Sequence, residues 1–245
     1  MTEQIETLLF DFGGTLDADG VAWKERFHVL YRAEGLGMTA DAFAPAFYAA
    51  DDPLVGGLPP TTGLSGTVNA LAANLEAELA RRSAGTGAAG AVNDRPNDNR
   101  GKRVASRFLS DASAAFARNR PVLEALKKRY QLGIVSNFYG NLEAVCHSAG
   151  LGPLFAVMVD SHCVGAEKPD PAIFRAALEP LHAIPETTVF VGDSLRRDRE
   201  GARRTGMRFI WIAPQDVQAA DAQASAGPFV HATVTGLRDL TKILI

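Results

Sequence analysis

The sequence predicts an α/β fold, in which a doubly wound parallel sheet carries an inserted all-helical domain. Short apolar segments recur without alternation of apolar and polar residues, which is typical of strands buried on both faces. Helical patterns lie between them, giving the strand–helix–strand order of a parallel sheet. Residues 18–118, between the first two strands, contain helical patterns and no convincing strand. This stretch therefore indicates an insertion after the first strand.

The predicted strands are short and are mostly bounded by glycine or acidic residues. They cover residues 7–12, 132–137, 155–161, 188–194, 208–214 and 231–236. Helical patterns cover residues 120–130, 141–150, 170–181 and 196–206. An Asp-Pro start and glycine stops support the limits of these helices. Together the segments predict a core domain made of residues 1–17 and 119–245.

The inserted domain, residues 18–118, is predicted to be helical with a small core of its own. Apolar residues recur at helical spacing over residues 23–31 and again over residues 68–79. A shorter helical piece over residues 41–51 is predicted to be broken by its proline. Residues 83–103 are rich in Gly, Ala, Asn, Asp and Arg, so they are predicted to form a loop.

Composition and charge exclude several classes of protein. The chain has 245 residues, a formal net charge of -3 at pH 7 and a pI near 6.0. This balance gives no general attraction to nucleic acid or to an anionic membrane. The first residues lack the basic start and apolar block of a signal peptide, and no apolar run approaches the roughly 20 residues of a membrane span. We therefore expect a cytoplasmic protein without nucleic-acid or membrane partners.

Polar residues at the ends of the predicted strands point to a ligand site, because ligands bind there in doubly wound sheets. Asp11 ends the first strand, Ser136 and Asn137 the second, and Asp193 the fourth. Lys168 stands after the third strand, just before a helix. Two carboxylates, a hydroxyl, an amide and an ammonium are thus expected to meet at one edge of the sheet.

This set of groups suits phosphoryl transfer. Asp11 and Asp193 offer the oxygen ligands that Mg²⁺ prefers, and a carboxylate is a competent nucleophile towards phosphorus. Gly14, with the residue before it, lets backbone N–H groups approach an anion. Ser136 and Lys168 are expected to bind phosphoryl oxygens and to neutralise their charge.

Four segments resemble the motifs of the haloacid dehalogenase-like (HAD) hydrolase superfamily. They are "LLFDFGGTLD", "GIVSN", "EKPDPAIF" and "FVGDSLRRDREGA". The fold implied by this resemblance is a Rossmann-like core. The helical insertion resembles the C1 cap domain of the family, which closes over the site and selects substrates.

The resemblance implies a Mg²⁺-dependent phosphatase that acts on a small phosphorylated metabolite through an aspartyl-phosphate. Asp11 would be the nucleophile, and Ser136 and Lys168 would hold the phosphoryl group as the other catalytic residues. The implied phosphate-binding set is Gly14, Thr15, Ser136, Asn137 and Lys168. The implied Mg²⁺ ligands are Asp11, the backbone carbonyl of Gly13, Asp193 and Asp198.

Gly13 departs from the family pattern, because phosphatases of the family carry their general acid/base Asp at this position. Such a group typically contributes 10²–10⁴-fold to the rate. One explanation is a substrate with a good leaving group, such as an acyl, aryl or anhydride phosphate. Another is a replacement acid, for which the candidates are Asp17, Asp19, His28, Asp51 and Asp52. A third is a catalytically impaired protein that binds a phosphorylated ligand.

A metal-independent 2-haloacid dehalogenase is a further alternative, because dehalogenases of the superfamily also lack the second Asp. The intact "GDS" segment with Asp198 favours Mg²⁺ and phosphate over this alternative. The insertion offers candidate substrate contacts, which are Trp23, Arg26, His28 and Tyr48. Residues Phe12, Phe138 and Tyr139 are further candidates for the entrance of the site.

Overall fold

A computed structural model describes residues 4–85, 99–220 and 230–245. Six parallel strands form one sheet in the order β3-β2-β1-β4-β5-β6. They are β1 (Thr7–Phe10), β2 (Gln131–Ser136), β3 (Val157–Asp160), β4 (Thr188–Gly192), β5 (Arg208–Ile212) and β6 (Val230–Val234). Leu8 and Phe10 pack on one face of the sheet, whereas Leu9 packs on the other. The predicted parallel sheet, buried on both faces, is therefore confirmed.

The insertion is built of long helices. They are α1 (Trp23–Ala33), α2 (Ala40–Asp51), α3 (Leu64–Gly85) and α4 (Arg100–Lys127). The predicted apolar faces are buried: Phe27 and Tyr31 of α1 are fully enclosed, as are Val68 and Leu71 of α3. Helices α1 to α3, with the first part of α4, form what we call the cap.

The cap does not have a separate core, which corrects the expectation from the sequence. Its buried residues form one continuous apolar cluster with residues of the sheet, including Leu8 and Phe10. Phe12, just after β1, joins the two parts through ring contacts with Phe116 of α4 at 6.0 Å and with Phe138 at 5.5 Å. The cap therefore covers one face of the sheet as well as its edge.

Two helices continue through prolines, so the predicted break within residues 41–51 is wrong. Helix α2 includes Pro45, and α4 includes Pro121. Helix α4 begins at Arg100, well before the predicted helix over residues 120–130. Both prolines are exposed, so the carbonyls that they leave without an intrahelical donor lie on the solvent side, where water can solvate them. The predicted domain boundary after residue 118 falls inside α4.

The predicted loop over residues 83–103 lies largely outside the described residues. Its ends within the described part belong to α3 and α4.

The core helices connect the strands, except for the last, which follows β6. They are α5 (Leu142–Ser148), α6 (Ser161–Val164), α7 (Pro171–Leu178), α8 (Glu200–Thr205), α9 (Gln215–Ala220) and α10 (Leu240–Leu244). A π-helical turn over Leu195–Arg199 precedes α8 and positions Asp198 towards the sheet edge. None of the helices in the described ranges has both the length and the apolar character that a membrane span requires.

Candidate active site

The first carboxylate of the site, Asp11, lies just beyond β1 and is held by two donors. Ser136 Oγ at the end of β2 donates to Asp11 Oδ1 at 2.8 Å. Lys168 Nζ donates to the same oxygen at 2.6 Å. Because both donors engage Oδ1, the second oxygen of Asp11 receives no hydrogen bond from the described residues. The parallel pairing of β1 with β2 and β4 brings these groups together.

Two further carboxylates follow β4. Asp198 Oδ1 lies 2.8 Å from Lys168 Nζ, and Asp198 Oδ2 accepts a hydrogen bond from the backbone N–H of Ser194 at 3.0 Å. Asp193 Oδ1 accepts from the hydroxyl of Thr15 at 3.0 Å. One oxygen from each of Asp11, Asp193 and Asp198 lies within 4.8 Å of the other two.

The crowding of these carboxylates shifts their pKa values. Burial raises the pKa of Asp193 well above its usual range, and the charges of Asp11 and Asp198 raise it further. Burial also raises the pKa of Asp198 to about 6, although the Lys168 ammonium opposes this shift. For Lys168 burial acts to lower the pKa, but the charges of the two flanking carboxylates outweigh it and raise the pKa.

A divalent cation fits this set of groups. Three carboxylates face a single ammonium, so the site carries an excess of negative charge that a cation would balance. Carboxylate oxygens are hard ligands, which suit Mg²⁺. Asp11, Asp193 and Asp198 are thus the residues that could hold the metal.

Gly14 permits the approach of Asp193 to this cluster. Its φ is +93°, and a Cβ at this position would lie 2.7 Å from Asp193 Oδ2. The N–H of Gly14 donates to Asp17 Oδ1 at 2.7 Å, and the hydroxyl of Thr15 donates to Asp193. Both donors are therefore occupied within the protein, and their role in phosphate binding stays a prediction.

Asn137 fixes the segment that carries Lys168. Its Oδ1 accepts from the N–H of Lys168 at 2.8 Å, and its Nδ2 donates to the Lys168 carbonyl at 3.3 Å. This pair of bonds orients the lysine towards Asp11. A direct contact of Asn137 with phosphate stays a prediction.

The space beside Gly13 is filled by Trp23, the first residue of α1. A Cβ at Gly13 would lie 3.2 Å from Trp23 Nε1 and 3.3 Å from Trp23 Cδ1. The indole N–H donates to Asp17 Oδ2 at 2.7 Å, and Arg26 Nη1 donates to the same oxygen at 2.6 Å. From the sequence Trp23 is predicted to lie on the apolar face of its helix and is a candidate contact for substrate. Its contact with Gly13 depends on how the cap docks, which local sequence does not specify.

Three of the five candidate replacement acids are engaged elsewhere. Asp17 is buried between Gly14, Trp23 and Arg26, and burial raises the pKa of its carboxyl group. Asp19 forms an ion pair with Arg118 at 2.5 Å. His28 lies against Phe43, with its Nε2 2.9 Å from the carbonyl of Met38.

Asp51 and Asp52, the other two candidates, lie at the end of α2 and line the same cavity as Asp11. Tyr139 Oη donates to Asp51 Oδ1 at 2.5 Å, which joins the cap to the loop after β2. Burial raises the pKa of Asp51 to about 6, and the charge of Asp52 adds to this shift. The Tyr139 hydrogen bond and the Arg197 charge oppose it.

The cavity occupies about 660 Å³ between the cap and the sheet edge. Asp11, Ser136 and Lys168 line its floor, together with Asp193. Aromatic side chains line its walls, and they are Trp23, Phe47, Tyr48, Phe138 and Tyr139. The exposed cations Arg196 and Arg197 also reach it. The site therefore combines a charged floor with an aromatic wall.

Known proteins with similar sequences are hydrolases. The chain is 37% identical over 95 residues to haloacid dehalogenase-like hydrolase domain-containing protein 3 of Bos taurus, with 38% of each chain covered. It is 34% identical over 102 residues to phosphoserine phosphatase of Thermus thermophilus, with 40% of this chain and 41% of the relative covered. The matches thus span less than half the length of these relatives.

The fold also matches solved structures. A dehalogenase determined with its intermediate complex aligns with a TM-score of 0.60 at 19% identity, over 100% of this chain and 99% of that chain. Such low identity shows a shared fold alone. The family model of the haloacid dehalogenase-like hydrolases matches residues 5–206. Because this match spans most of the chain, the protein belongs to the haloacid dehalogenase-like hydrolase family.

Proposed function

We propose that this protein is a Mg²⁺-dependent phosphatase that acts on a small phosphorylated metabolite. The observation that carries the proposal is the convergence of Ser136 Oγ and Lys168 Nζ on one oxygen of Asp11, beside the carboxylates of Asp193 and Asp198. This arrangement leaves a nucleophilic oxygen next to groups that bind phosphoryl oxygens. The similarity to a phosphoserine phosphatase supports the same reaction class.

The proposed reaction has two steps. The free oxygen of Asp11 attacks phosphorus in line, and the ester oxygen leaves with the electron pair of the broken P–O bond. Water then attacks the phosphorus of the aspartyl-phosphate, which releases inorganic phosphate and restores the carboxylate. Lys168 holds a phosphoryl oxygen through its third N–H, and Ser136 does so once its hydroxyl turns from Asp11 to the substrate.

The remaining residues prepare this centre. Asp11, Asp193, Asp198 and the carbonyl of Gly13 would hold Mg²⁺, which offsets the charge of the phosphoryl group when it is bound. Asp198 restrains Lys168 through their ion pair and is itself fixed by the N–H of Ser194. The aromatic wall between cap and core lines the space in which the leaving group would lie.

Dehalogenation is the alternative that the shared fold leaves open. Displacement of a halide needs a carboxylate nucleophile but no cation. The cluster of Asp193 and Asp198 around Lys168 therefore favours phosphate. Loss of catalysis with retained ligand binding is the other alternative, because Gly13 cannot protonate a leaving group.

Hydrolysis of a panel of phosphate esters and acyl phosphates in the presence of Mg²⁺ tests the proposal. We expect wild-type protein to release phosphate and to form an acid-stable phosphoprotein, whereas Asp11→Asn does neither. Asp111→Asn, on the exposed face of α4, is the matched control and should retain activity. Binding of Mg²⁺ and phosphate without turnover would identify a binding protein. Metal-independent chloride release from 2-chloropropionate would identify a dehalogenase.

A further inference from the structure

We infer that the substrate is an aryl phosphate, in which phosphate is esterified to an aromatic hydroxyl. This inference rests on the proposed phosphatase function and specifies its substrate class. Two independent observations carry it. The position of the usual acid is physically filled by Trp23, and the cavity above Asp11 is walled by aromatic rings.

The indole of Trp23 is fixed in its place beside Gly13. Its N–H is bonded to Asp17, and its ring meets Phe108 edge to face at a centroid distance of 5.0 Å. A second edge-to-face contact, at 5.9 Å, joins it to Phe138 of the core. Because the ring is held from the cap and from the core, a side chain at position 13 is opposed by the indole, which would have to move by a few tenths of an ångström to admit even its Cβ.

An ester without a proton donor must release its leaving oxygen as an anion. A phenol ionises with a pKa near 10, as tyrosine does, whereas the pKa of water is about 15.7 and aliphatic alcohols are similarly weak acids. A missing general acid therefore costs roughly 10²–10⁴-fold for an alkyl phosphate and much less for an aryl phosphate. The chemistry beside Gly13 thus selects for the better leaving group.

The cavity walls suit the same kind of leaving group. Trp23, Phe138 and Tyr139 form a connected set of rings, with the last two at a centroid distance of 4.8 Å. Tyr48 and Phe47 of α2 face them from the cap side of the cavity. Aromatic pairs attract one another beyond the effect of the area that they bury. Acyl and anhydride phosphates also have good leaving groups, but their reacting bond does not by itself place a ring against these contacts, as an aryl phosphate does.

Asp51 is the carboxyl group that could overturn this inference. It lines the cavity, is half-buried, and is oriented by Tyr139. If Asp51 protonated the leaving oxygen, alkyl phosphates would be hydrolysed efficiently. Its substitution by Asn keeps an oxygen that can accept the hydrogen bond from Tyr139. Asp51→Asn therefore removes only the ability of this side chain to protonate a leaving oxygen.

The test compares phenyl phosphate with benzyl phosphate, which share a ring but differ in leaving-group acidity. We expect kcat/KM for phenyl phosphate to exceed that for benzyl phosphate by at least about 100-fold. We also expect kcat/KM to rise steeply with the acidity of the phenol across substituted phenyl phosphates. Benzyl phosphate turnover within tenfold of phenyl phosphate would overturn the inference, and its loss in Asp51→Asn would assign the acid to Asp51.

The aromatic wall is tested separately with 2,4-dinitrophenyl phosphate and acetyl phosphate, whose leaving groups are similarly acidic. We expect a lower KM for the aryl compound. Replacement of the exposed Tyr48 in Tyr48→Leu should raise this KM several-fold and should raise the KM of acetyl phosphate by a clearly smaller factor. Equal KM values for the two compounds, or a lower KM for acetyl phosphate, would reject an aryl phosphate as the substrate but would leave the phosphatase function in place. A failure to form any phosphoprotein would reject both.

Discussion

Gly13 and Trp23 form a matched pair, because the indole occupies the space that a side chain at position 13 would enter. The indole cannot retreat easily, since Asp17 holds its N–H and Phe108 contacts its ring. Two residues therefore account for the missing general acid: Gly13 has no side chain, and the indole of Trp23 lies in the space beside it. Restoring Asp at position 13 therefore requires the indole of Trp23 to shift.

This pairing predicts the outcome of restoring the acid. Gly13→Asp alone should lower stability and should not increase the hydrolysis of benzyl phosphate, because the new carboxyl group meets the indole. Gly13→Asp combined with Trp23→Ala opens the space and should increase kcat/KM for benzyl phosphate by about 10²-fold or more relative to Trp23→Ala. Trp23→Ala itself is expected to cost about 3–5 kcal/mol of stability. Assays should therefore be run well below the melting temperature of Trp23→Ala. Equal hydrolysis of benzyl phosphate by Trp23→Ala and by the double variant would contradict the pairing.

Asp51 gives a pH-dependent contribution to stability. Its pKa is about 6 in the folded protein, against an ordinary value of 3.8, so the folded state binds more protons between these values. The free energy of unfolding therefore falls as pH rises from about 4 to about 6. We expect Asp51→Asn to be more stable than wild type at pH 8, by about 1 kcal/mol after allowance for solvent screening.

Urea denaturation at pH 4 and pH 8 measures this effect. The difference between Asp51→Asn and wild type should vanish at the lower pH. Asp111→Asn, an exposed substitution on α4, should follow wild type at both pH values. A constant difference across the range would show that Asp51 does not titrate as described.

At the scale of single residues, the sequence predicts the groups that follow strands and misses those that depend on cap docking. Asp11 and Ser136 converge because parallel strands end at one edge, a rule that needs only the strand assignments. Lys168 lies in the segment between α6 and α7, and its hydrogen bonds with Asn137 bring that segment to the same edge. Trp23 begins α1 of the cap, whereas Gly13 lies after β1 of the core. Local sequence patterns do not predict that these two residues come into contact. For the same reason the burial of Asp17 could not be distinguished from an accessible acid.

At the scale of elements, helix α4 is the physical link between cap and sheet. It runs from Arg100 to Lys127 without interruption, although Pro121 lies inside it. Its residues Phe108 and Phe116 pack in the cap, whereas Leu123 and Leu126 belong to the same cluster near the sheet. The tertiary packing along the helix outweighs the local cost of the proline.

We expect Pro121→Ala to stabilise the protein by about 1–3 kcal/mol, because alanine restores one backbone hydrogen bond and removes a poor helix former. Pro45→Ala in α2 is the matched substitution and should act in the same direction. Both side chains are exposed, so no apolar packing is lost. Urea denaturation measures the change, and a loss of stability in both variants would show that the prolines relieve strain in their helices.

Helix faces could be predicted from the sequence, but helix lengths could not. The apolar spacing of α1 and α3 depends only on the helical period, and it correctly identifies Phe27 and Leu71 as buried. The local preference of proline predicts helix ends, yet it competes with packing energies that arise only in the folded protein. Strand ends could be predicted to within one or two residues, because the apolar run of each strand stops there; an acid follows β1 and β4 directly, and Asp160 ends β3.

At the scale of the whole molecule, the central position of β1 explains how one site collects residues from distant parts of the chain. Its neighbours are β2, which ends in Ser136, and β4, which precedes Asp193. The cap then covers this edge and shares its apolar core with the sheet. The sequence predicts two domains, but it does not reveal that their cores merge, because an apolar helix face does not specify the element against which it packs.

This architecture predicts that Mg²⁺ binding stabilises the entire fold. In metal-free protein, the carboxylates of Asp11, Asp193 and Asp198 repel one another, and the raised pKa of Asp193 reflects its burial together with this repulsion. A ligand that binds only the folded state stabilises it by about 2.7 kcal/mol at 100 times its Kd. We expect the melting temperature of wild-type protein to rise with Mg²⁺ concentration and to return to its starting value when EDTA is added.

The variant Asp193→Asn distinguishes stabilisation by bound Mg²⁺ from the stability of the metal-free fold. Without metal, this variant should be at least as stable as wild type, because one buried negative charge is gone. In Mg²⁺ its melting temperature should change far less than that of wild type, since a principal ligand is lost. Asp111→Asn, on an exposed part of α4, should respond to Mg²⁺ as wild type does. An equal response of Asp193→Asn and wild type would place the cation outside the carboxylate cluster, and the charge balance argued for the site would then have to come from other groups.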